Sequence, residues 1–154
     1  MVTRLRILSV EETKTFDNPP LFTGEQRKQY FYINKQSDAV LSKLRDNSSK
    51  AGYLLQLGYF KATNRFFSVN TFHEKDLEYI ARLLQINRQT IKMDKYGERM
   101  KRYYQNVILQ QTGSFKFTEK TRRVIEQEAQ LLDFRQTKLR QMFLSLVDYL
   151  KIKK

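Results

Sequence analysis

The polar trio Arg-Gln-Thr occurs twice in this chain, each time a few residues after the pattern Ala-x-Leu-Leu. The trios occupy residues 88–90 and 135–137, and the preceding patterns begin at Ala81 and Ala129. An arginine can donate two hydrogen bonds to guanine, and a glutamine can pair with adenine. The residue types therefore predict two segments that could contact base edges in a DNA groove.

The elements that would position these trios have the pattern of a helix-turn-helix. A small alanine lets two helices cross closely, and a later apolar residue, Ile91 or Leu139, would hold the second helix against the first. The first turn of the second helix then projects polar and basic side chains into the major groove. The predicted DNA contacts are Arg88, Gln89, Thr90, Lys92 and Lys95 in the first unit, and Arg135, Gln136 and Lys138 in the second, with Gln141 as a weaker candidate.

Basic side chains are also clustered at two further predicted helix starts. The free N–H groups of a helix N-terminus attract an anion, so these clusters suit DNA phosphates. Neutralising several phosphates would make the affinity steeply dependent on salt. For any one of these side chains the alternative is an ordinary solvated charge. The predicted phosphate contacts are Arg99, Lys101 and Arg102 in one cluster and Lys120, Arg122 and Arg123 in the other, with Lys50 and Lys116 as weaker candidates.

No set of residues in the sequence predicts catalysis. The aspartates are scattered singly, and Glu126 and Glu128 lie two apart, on different faces of a helix, so no carboxylate pair is placed to hold a catalytic metal. The chain has no Cys and a single histidine, His73, which we expect near a helix start. A glycine-rich phosphate loop is also missing. We predict no catalytic residue, no metal site and no cofactor.

The composition favours a packed protein with a polyanionic partner. The chain of 154 residues is 40% hydrophobic, which suffices for a core, and its formal net charge is +13. Residues 1–96 carry 16 basic and 10 acidic side chains, whereas residues 97–154 carry 13 and 6. Simple solubility, or a genome that favours lysine, is the alternative reading of this charge. The sequence has neither a membrane-length apolar run nor a signal-peptide pattern, so we expect a cytoplasmic protein.

The spacing of apolar residues predicts an all-α chain made of two consecutive helical units, residues 1–96 and 97–154. Each unit has a long helix, a left-handed cap at Asn64 or Gly113, two phenylalanines, a helix, a turn and a second helix. The long helix before Asn64 is apolar nearly all round and should lie in the middle of a bundle. Predicted helices include 23–32, 37–45, 88–96 and 98–111, a short one after a capping box at Ser9, and others starting at Thr118 and Arg135.

The helix before Asn64 also carries a family resemblance. Residues 52–61, which read Gly-Tyr-Leu-Leu-Gln-Leu-Gly-Tyr-Phe-Lys, and then Asn64-Arg65-Phe66, resemble the hallmark of the N-terminal region of class II replicative transposases of the Tn-three type. Residues 8–31 are similar to the opening of that region. The chain departs from the family pattern at Tyr104, often His, and at Asn64, often Gly. The residues that resemble the second block of the region are Tyr96, Arg99, Ile108, Gly113 and Phe117.

The resemblance implies binding to double-stranded DNA at the terminal inverted repeats of a transposon, in bacterial cytoplasm close to the nucleoid. It also implies that the chain is the N-terminal part of a longer transposase whose carboxylate catalytic domain lies further along the polypeptide. The rest of that transposase would provide any self-association. We expect no membrane partner. Two alternatives remain open from the residues. One is a helical protein that binds DNA or RNA without specificity, and the other is an interaction module whose Tyr and Phe surfaces assemble the transposition complex.

Overall fold

A computed structural model describes residues 7–133 and 139–152, and every regular element within these ranges is helical, as the sequence predicts. Three short 3-10 turns lie between the α-helices, at Val69–Thr71, Arg88–Thr90 and Met93–Lys95. The α-helices are α1 Val10–Asp17, α2 Gly24–Tyr30, α3 Lys35–Leu41, α4 Asn47–Thr63, α5 Glu74–Leu83, α6 Glu98–Gln111, α7 Glu119–Asp133 and α8 Leu139–Ile152.

Polar side chains fix where the first helices begin. Ser9 and Thr23 each form a capping box at the starts of α1 and α2, which confirms the two predicted starts. Helix α3 starts earlier than predicted, because the Asn34 side chain accepts a hydrogen bond from the Ser37 N–H at 2.8 Å. It also ends earlier, at Leu41, because the N–H groups of Lys43 and Leu44 bond to the carbonyl oxygens three residues before them.

Helix α4 occupies the centre of the bundle, as predicted from its apolar faces. Residues 51–60 are all buried, and Asn64 ends the helix in the left-handed conformation, with φ of 56°. Two glycines allow aromatic rings to lie directly on the helix. A Cβ atom at Gly52 would lie 2.7 Å from the ring of Tyr96, and a Cβ atom at Gly58 would overlap the ring of Phe31.

A buried carboxylate joins α5 to α2 and α4. Asp76 is fully buried, and its two oxygens accept hydrogen bonds from Arg27 Nε and from the Tyr59 hydroxyl, both at 2.6 Å. Burial and the adjacent Asp76 carboxylate raise the pKa of Tyr59. His73 lies at the start of α5, as predicted, and its Nε2 is 2.8 Å from the carbonyl oxygen of Pro19. The single histidine and this acid are therefore part of the packing.

The predicted helix over residues 88–96 is wrong. The chain forms two separate 3-10 turns there, joined by extended residues at Ile91 and Lys92. The Asn87 side chain accepts from the N–H of Gln89 and so caps only the first of these turns. The Ile91 side chain is buried, and the Lys92 N–H donates to Ser48 Oγ at 2.7 Å. These contacts with the bundle outweigh the helical periodicity, so the first unit has no second helix to enter a DNA groove.

Helix α6 packs on α4 in the same core. The ring centroids of Tyr53 and Tyr104 are 5.6 Å apart, and the Tyr53 hydroxyl donates to Gln111 Oε1 at 2.8 Å. Packing is therefore continuous across the predicted boundary between residues 1–96 and 97–154. The division into two functional units stays a prediction.

Helices α7 and α8 pack on each other and are more exposed than the rest of the fold. Helix α8 has no fully buried residue, and Leu139, which was predicted to lock it onto α7, is 53% exposed. The prediction for Leu139 is therefore wrong. Helix α8 also contacts α1, through the rings of Phe16 and Phe143 and through an ion pair between Glu12 and Arg140. Among the described residues, no helix is long and apolar enough to cross a membrane.

Candidate nucleic-acid interface

The first predicted group of DNA contacts lies on the two 3-10 turns that follow α5. The guanidinium group of Arg88 donates to both carboxylate oxygens of Glu74 at 2.7 Å and to the carbonyl oxygen of Ile91 at 3.0 Å. The fork that could contact guanine is thus engaged within the fold. The remaining members of the group, Gln89, Thr90, Lys92 and Lys95, are exposed.

The second predicted group lies at the start of α6. Lys101 Nζ donates to Glu98 at 2.9 Å, and Arg102 Nε lies 3.9 Å from the same carboxylate. Arg99 is exposed and forms no ion pair with a carboxylate in the described part of the chain. Gly97 provides no side-chain cap, so backbone N–H groups stay free there. Cations near a helix N-terminus oppose the helix dipole, and a bound anion would offset this cost.

The third predicted group lies at the start of α7. Arg122 Nε pairs with Glu126 at 3.0 Å, whereas Lys120 and Arg123 are exposed and have no ion-pair partner within residues 7–133 and 139–152. The loop just before α7 carries the exposed Lys116. These cations also face the positive end of a helix dipole.

Three predicted DNA contacts of the second unit, Arg135, Gln136 and Lys138, lie outside the described residues. The predicted helix start at Arg135 lies outside them as well. The weaker candidate Gln141 is exposed on α8, and Lys50 is half-buried in α4.

A groove of about 1080 Å³ is formed by the end of α4, the middle of α6, the 114–118 loop, the start of α7 and the end of α8. Four cations line it, and none of its lining residues is acidic. Gln105, Asn106 and Thr121 add neutral polar groups. We call this site the basic groove, and its cations are Arg65, Arg102, Lys116 and Lys120.

The basic groove brings together only part of what the sequence predicts. Arg102 comes from the α6 cluster, Lys120 from the α7 cluster, and Lys116 was a weaker candidate. Arg65 was not predicted as a contact, although an arginine directly after a helix cap was visible in the sequence. Its guanidinium lies 3.8 Å from the ring centroid of Phe16, and burial lowers the pKa of Arg65.

The two phenylalanines of the second unit also line the basic groove. Gly113 has a φ of 65°, so the left-handed cap of α6 is confirmed as the counterpart of Asn64. The phenylalanines that follow the two caps differ, however. Phe67 is buried against Tyr59, whereas Phe115 and Phe117 are 82% and 66% exposed.

In the described ranges, the residue types that most often bind metals are not gathered in groups. No three side chains of His, Cys, Asp or Glu lie there in an arrangement that could hold a metal ion. The site consists instead of cations, amides, hydroxyls and exposed aromatic rings, and this chemistry suits binding.

Fold and groove together define a basic, all-helical protein with a cationic, aromatic cleft. Residues 7–154 match the family described as Domain of unknown function (DUF4158), and the chain belongs to this family. No curated protein and no solved structure matches the chain.

Proposed function

We propose that this chain binds double-stranded DNA, and that it is the part of a replicative transposase that recognises the terminal inverted repeats. The observation that carries the proposal is the basic groove, in which cations from the segment after α4, from α6, from the 114–118 loop and from α7 converge without a carboxylate among the lining residues. Like charges that line one groove repel one another, and a polyanion removes this repulsion.

The arrangement of the surrounding cations supports DNA as the polyanion. Arg99 and Arg123 extend the positive surface on α6 and α7 next to the groove residues Arg102 and Lys120. Two helix N-termini with basic side chains can each bind a phosphate through backbone N–H groups. A DNA backbone presents such phosphates at regular intervals, which one small anion does not.

The transposon-end specificity rests on the resemblance of residues 52–61 and 64–66 to Tn-three-type transposases. Residues 52–60 lie in the core, so the similarity there concerns the fold and not the DNA contacts. In this proposal the chain acts in the bacterial cytoplasm near the nucleoid, with self-association supplied by the rest of a longer transposase.

The test is a gel-shift titration at physiological salt that compares a duplex of the transposon's terminal inverted repeat with a scrambled duplex. We expect the terminal repeat to bind roughly 10³-fold more tightly, as is usual for specific sites. Equal affinity for both duplexes would overturn the specificity, and no binding to either at low salt would overturn DNA binding altogether.

Substitutions in the groove locate the surface in the same assay. Arg102→Ala combined with Lys120→Ala should weaken binding to both duplexes by a similar factor, because phosphate contacts carry no sequence information. Lys28→Ala is the matched control, because Lys28 is an exposed cation on α2 that does not line the groove. Its affinity should equal that of the wild type.

A further inference from the structure

The exposed phenylalanines of the 114–118 loop are out of place on a surface that only contacts phosphates. Their counterparts after α4 are packed, with Phe66 stacked on Phe60 at 4.7 Å between ring centroids. Phe115 and Phe117 have no ring partner among the described residues. Exposing two large apolar side chains forfeits the stabilisation that burial would give them, so a ligand that covers them would recover it.

The ligand must match both the rings and the charge. The basic groove holds four cations, its lining has no carboxylate, and its volume of about 1080 Å³ is slightly above the usual range for ligand pockets. A suitable occupant therefore combines negative charge with flat apolar faces. In a duplex the faces of the bases are stacked on one another, so rings in a groove cannot reach them.

We propose that the basic groove binds unpaired DNA nucleotides, with bases stacked on Phe115 and Phe117 and phosphates held by Lys116, Lys120 and Arg102. A cationic groove that carries exposed aromatic side chains is the usual means by which proteins hold single strands. The inference rests on the proposed DNA-binding function and adds a different substrate to it. The chain would bind a site where duplex DNA adjoins a short single-stranded segment.

The groove geometry is consistent with this substrate. Phe115 and Phe117 are two residues apart on an irregular loop and both line the groove, with Lys116 between them in sequence. Asn106 and Thr121 offer neutral hydrogen-bonding groups in the same groove. Stacking tolerates any base, so the expected preference is for unpaired DNA in general and not for one sequence.

The experiment measures fluorescence anisotropy with three labelled DNAs that share one terminal-repeat sequence. The first DNA is a blunt duplex of the repeat, and the second is the same duplex with a single-stranded overhang of about eight nucleotides. The third is a longer blunt duplex, in which the overhang is paired with its complement, and it controls for length. We expect the overhang DNA to bind about tenfold more tightly than the two paired DNAs. Phe115→Ala and Phe117→Ala should each remove most of this gain, so that the overhang DNA and the paired DNAs bind with nearly equal affinity.

Leu21→Ala is the control, since Leu21 is as exposed as Phe115, at 82%, and does not line the groove. If paired DNA binds but the overhang gives no gain, or the gain survives both phenylalanine substitutions, this inference is overturned and the proposed function stands. If no DNA binds at low salt, both fail. If the substitutions instead abolish self-association measured by light scattering, with DNA binding intact, the groove is a protein interface and the inference is likewise overturned.

Discussion

At the scale of single residues, the fold depends on a few buried polar groups whose partners lie far apart in sequence. Asp76 is the clearest of them, because a fully buried carboxylate is tolerated only when it is paired and hydrogen-bonded. Arg27 and Tyr59 supply these partners from α2 and α4. One side chain thereby fixes the relative positions of three helices.

Replacing Asp76 by Ala should lower the free energy of unfolding by about 3 kcal/mol or more, because the substitution leaves Arg27 largely buried without its counter-ion. Urea unfolding followed by circular dichroism measures the change. The control is Glu74→Gln, which breaks the more exposed pair with Arg88 and should cost less than about 1 kcal/mol. Equal losses for the two substitutions would show that the Asp76 network does not hold the bundle together.

Two buried tyrosines predict a loss of stability at alkaline pH. Burial raises the pKa of both Tyr59 and Tyr96 in the folded chain, whereas in the unfolded chain tyrosine titrates near pH 10. Above that pH the unfolded state releases protons that the folded state retains. The free energy of unfolding should therefore fall as pH rises, by about 1.4 kcal/mol per pH unit for each tyrosine.

Urea titrations at pH 9, 10 and 11 test this slope. The Tyr96→Phe variant should show a shallower fall between pH 10 and 11 than the wild type, because one buried hydroxyl that keeps its proton is removed. A wild-type stability that is flat from pH 9 to 11 would contradict the burial of these hydroxyls.

At the scale of helices, close packing around α4 determines the local structure more strongly than the periodicity of apolar residues does. The glycines of α4 are not at turns, and their role is to admit rings from neighbouring segments. At Gly58 the ring of Phe31 lies where a side chain would begin. The position can therefore hold only glycine unless the helix or the ring moves.

Gly58→Ala should destabilise the chain by about 2 kcal/mol, as overpacking in a core usually does, although alanine is the better helix former. Gly24→Ala is the matched control, because a Cβ atom at Gly24 would contact nothing within 4 Å. The control should be neutral or slightly stabilising. Thermal or urea unfolding of both variants gives the comparison, and a neutral Gly58→Ala would mean that Phe31 does not pack on α4.

Local sequence signals predicted most helix limits, and the largest failure, over residues 88–96, came where distant contacts dominate. Capping residues such as Ser9, Thr23 and Asn64 act within a few residues of their position, so the sequence alone reveals them. The extended link at Lys92 depends on Ser48, 44 residues earlier, and no local pattern encodes that bond.

The candidate site was predictable only in part for the same reason. The basic clusters at the starts of α6 and α7 are visible in sequence, because helix starts and charges are local. Which members converge is decided by the packing of α4, α6 and α7, which brings Arg65 beside Arg102 and Lys120 in one groove. The exposure of Phe115 could not be predicted either, since the similar Phe67 is buried.

At the scale of the whole molecule, the excess of positive charge is distributed unevenly over the described surface. Several cations are neutralised within the fold, as Arg27 and Arg88 are by Asp76 and Glu74. Among the described residues, the cations of the basic groove have no carboxylate partner within ordinary ion-pair distance, apart from the long contact of Arg102 with Glu98. The groove is therefore one surface at which part of the net charge of +13 is available to a partner.

The salt dependence of DNA binding should measure this availability directly. Each phosphate neutralised adds about −0.9 to the slope of log K against log salt concentration, so the four groove cations should contribute about −3.6. Lys116→Ala and Lys120→Ala should each make the slope shallower by about 1, whereas Lys28→Ala should leave it unchanged. Anisotropy titrations at several salt concentrations from about 50 to about 200 mM give the slope for each variant. A slope that is the same for all three variants would mean that DNA phosphates lie elsewhere on the chain, because removing a cation that releases no counterion cannot change it.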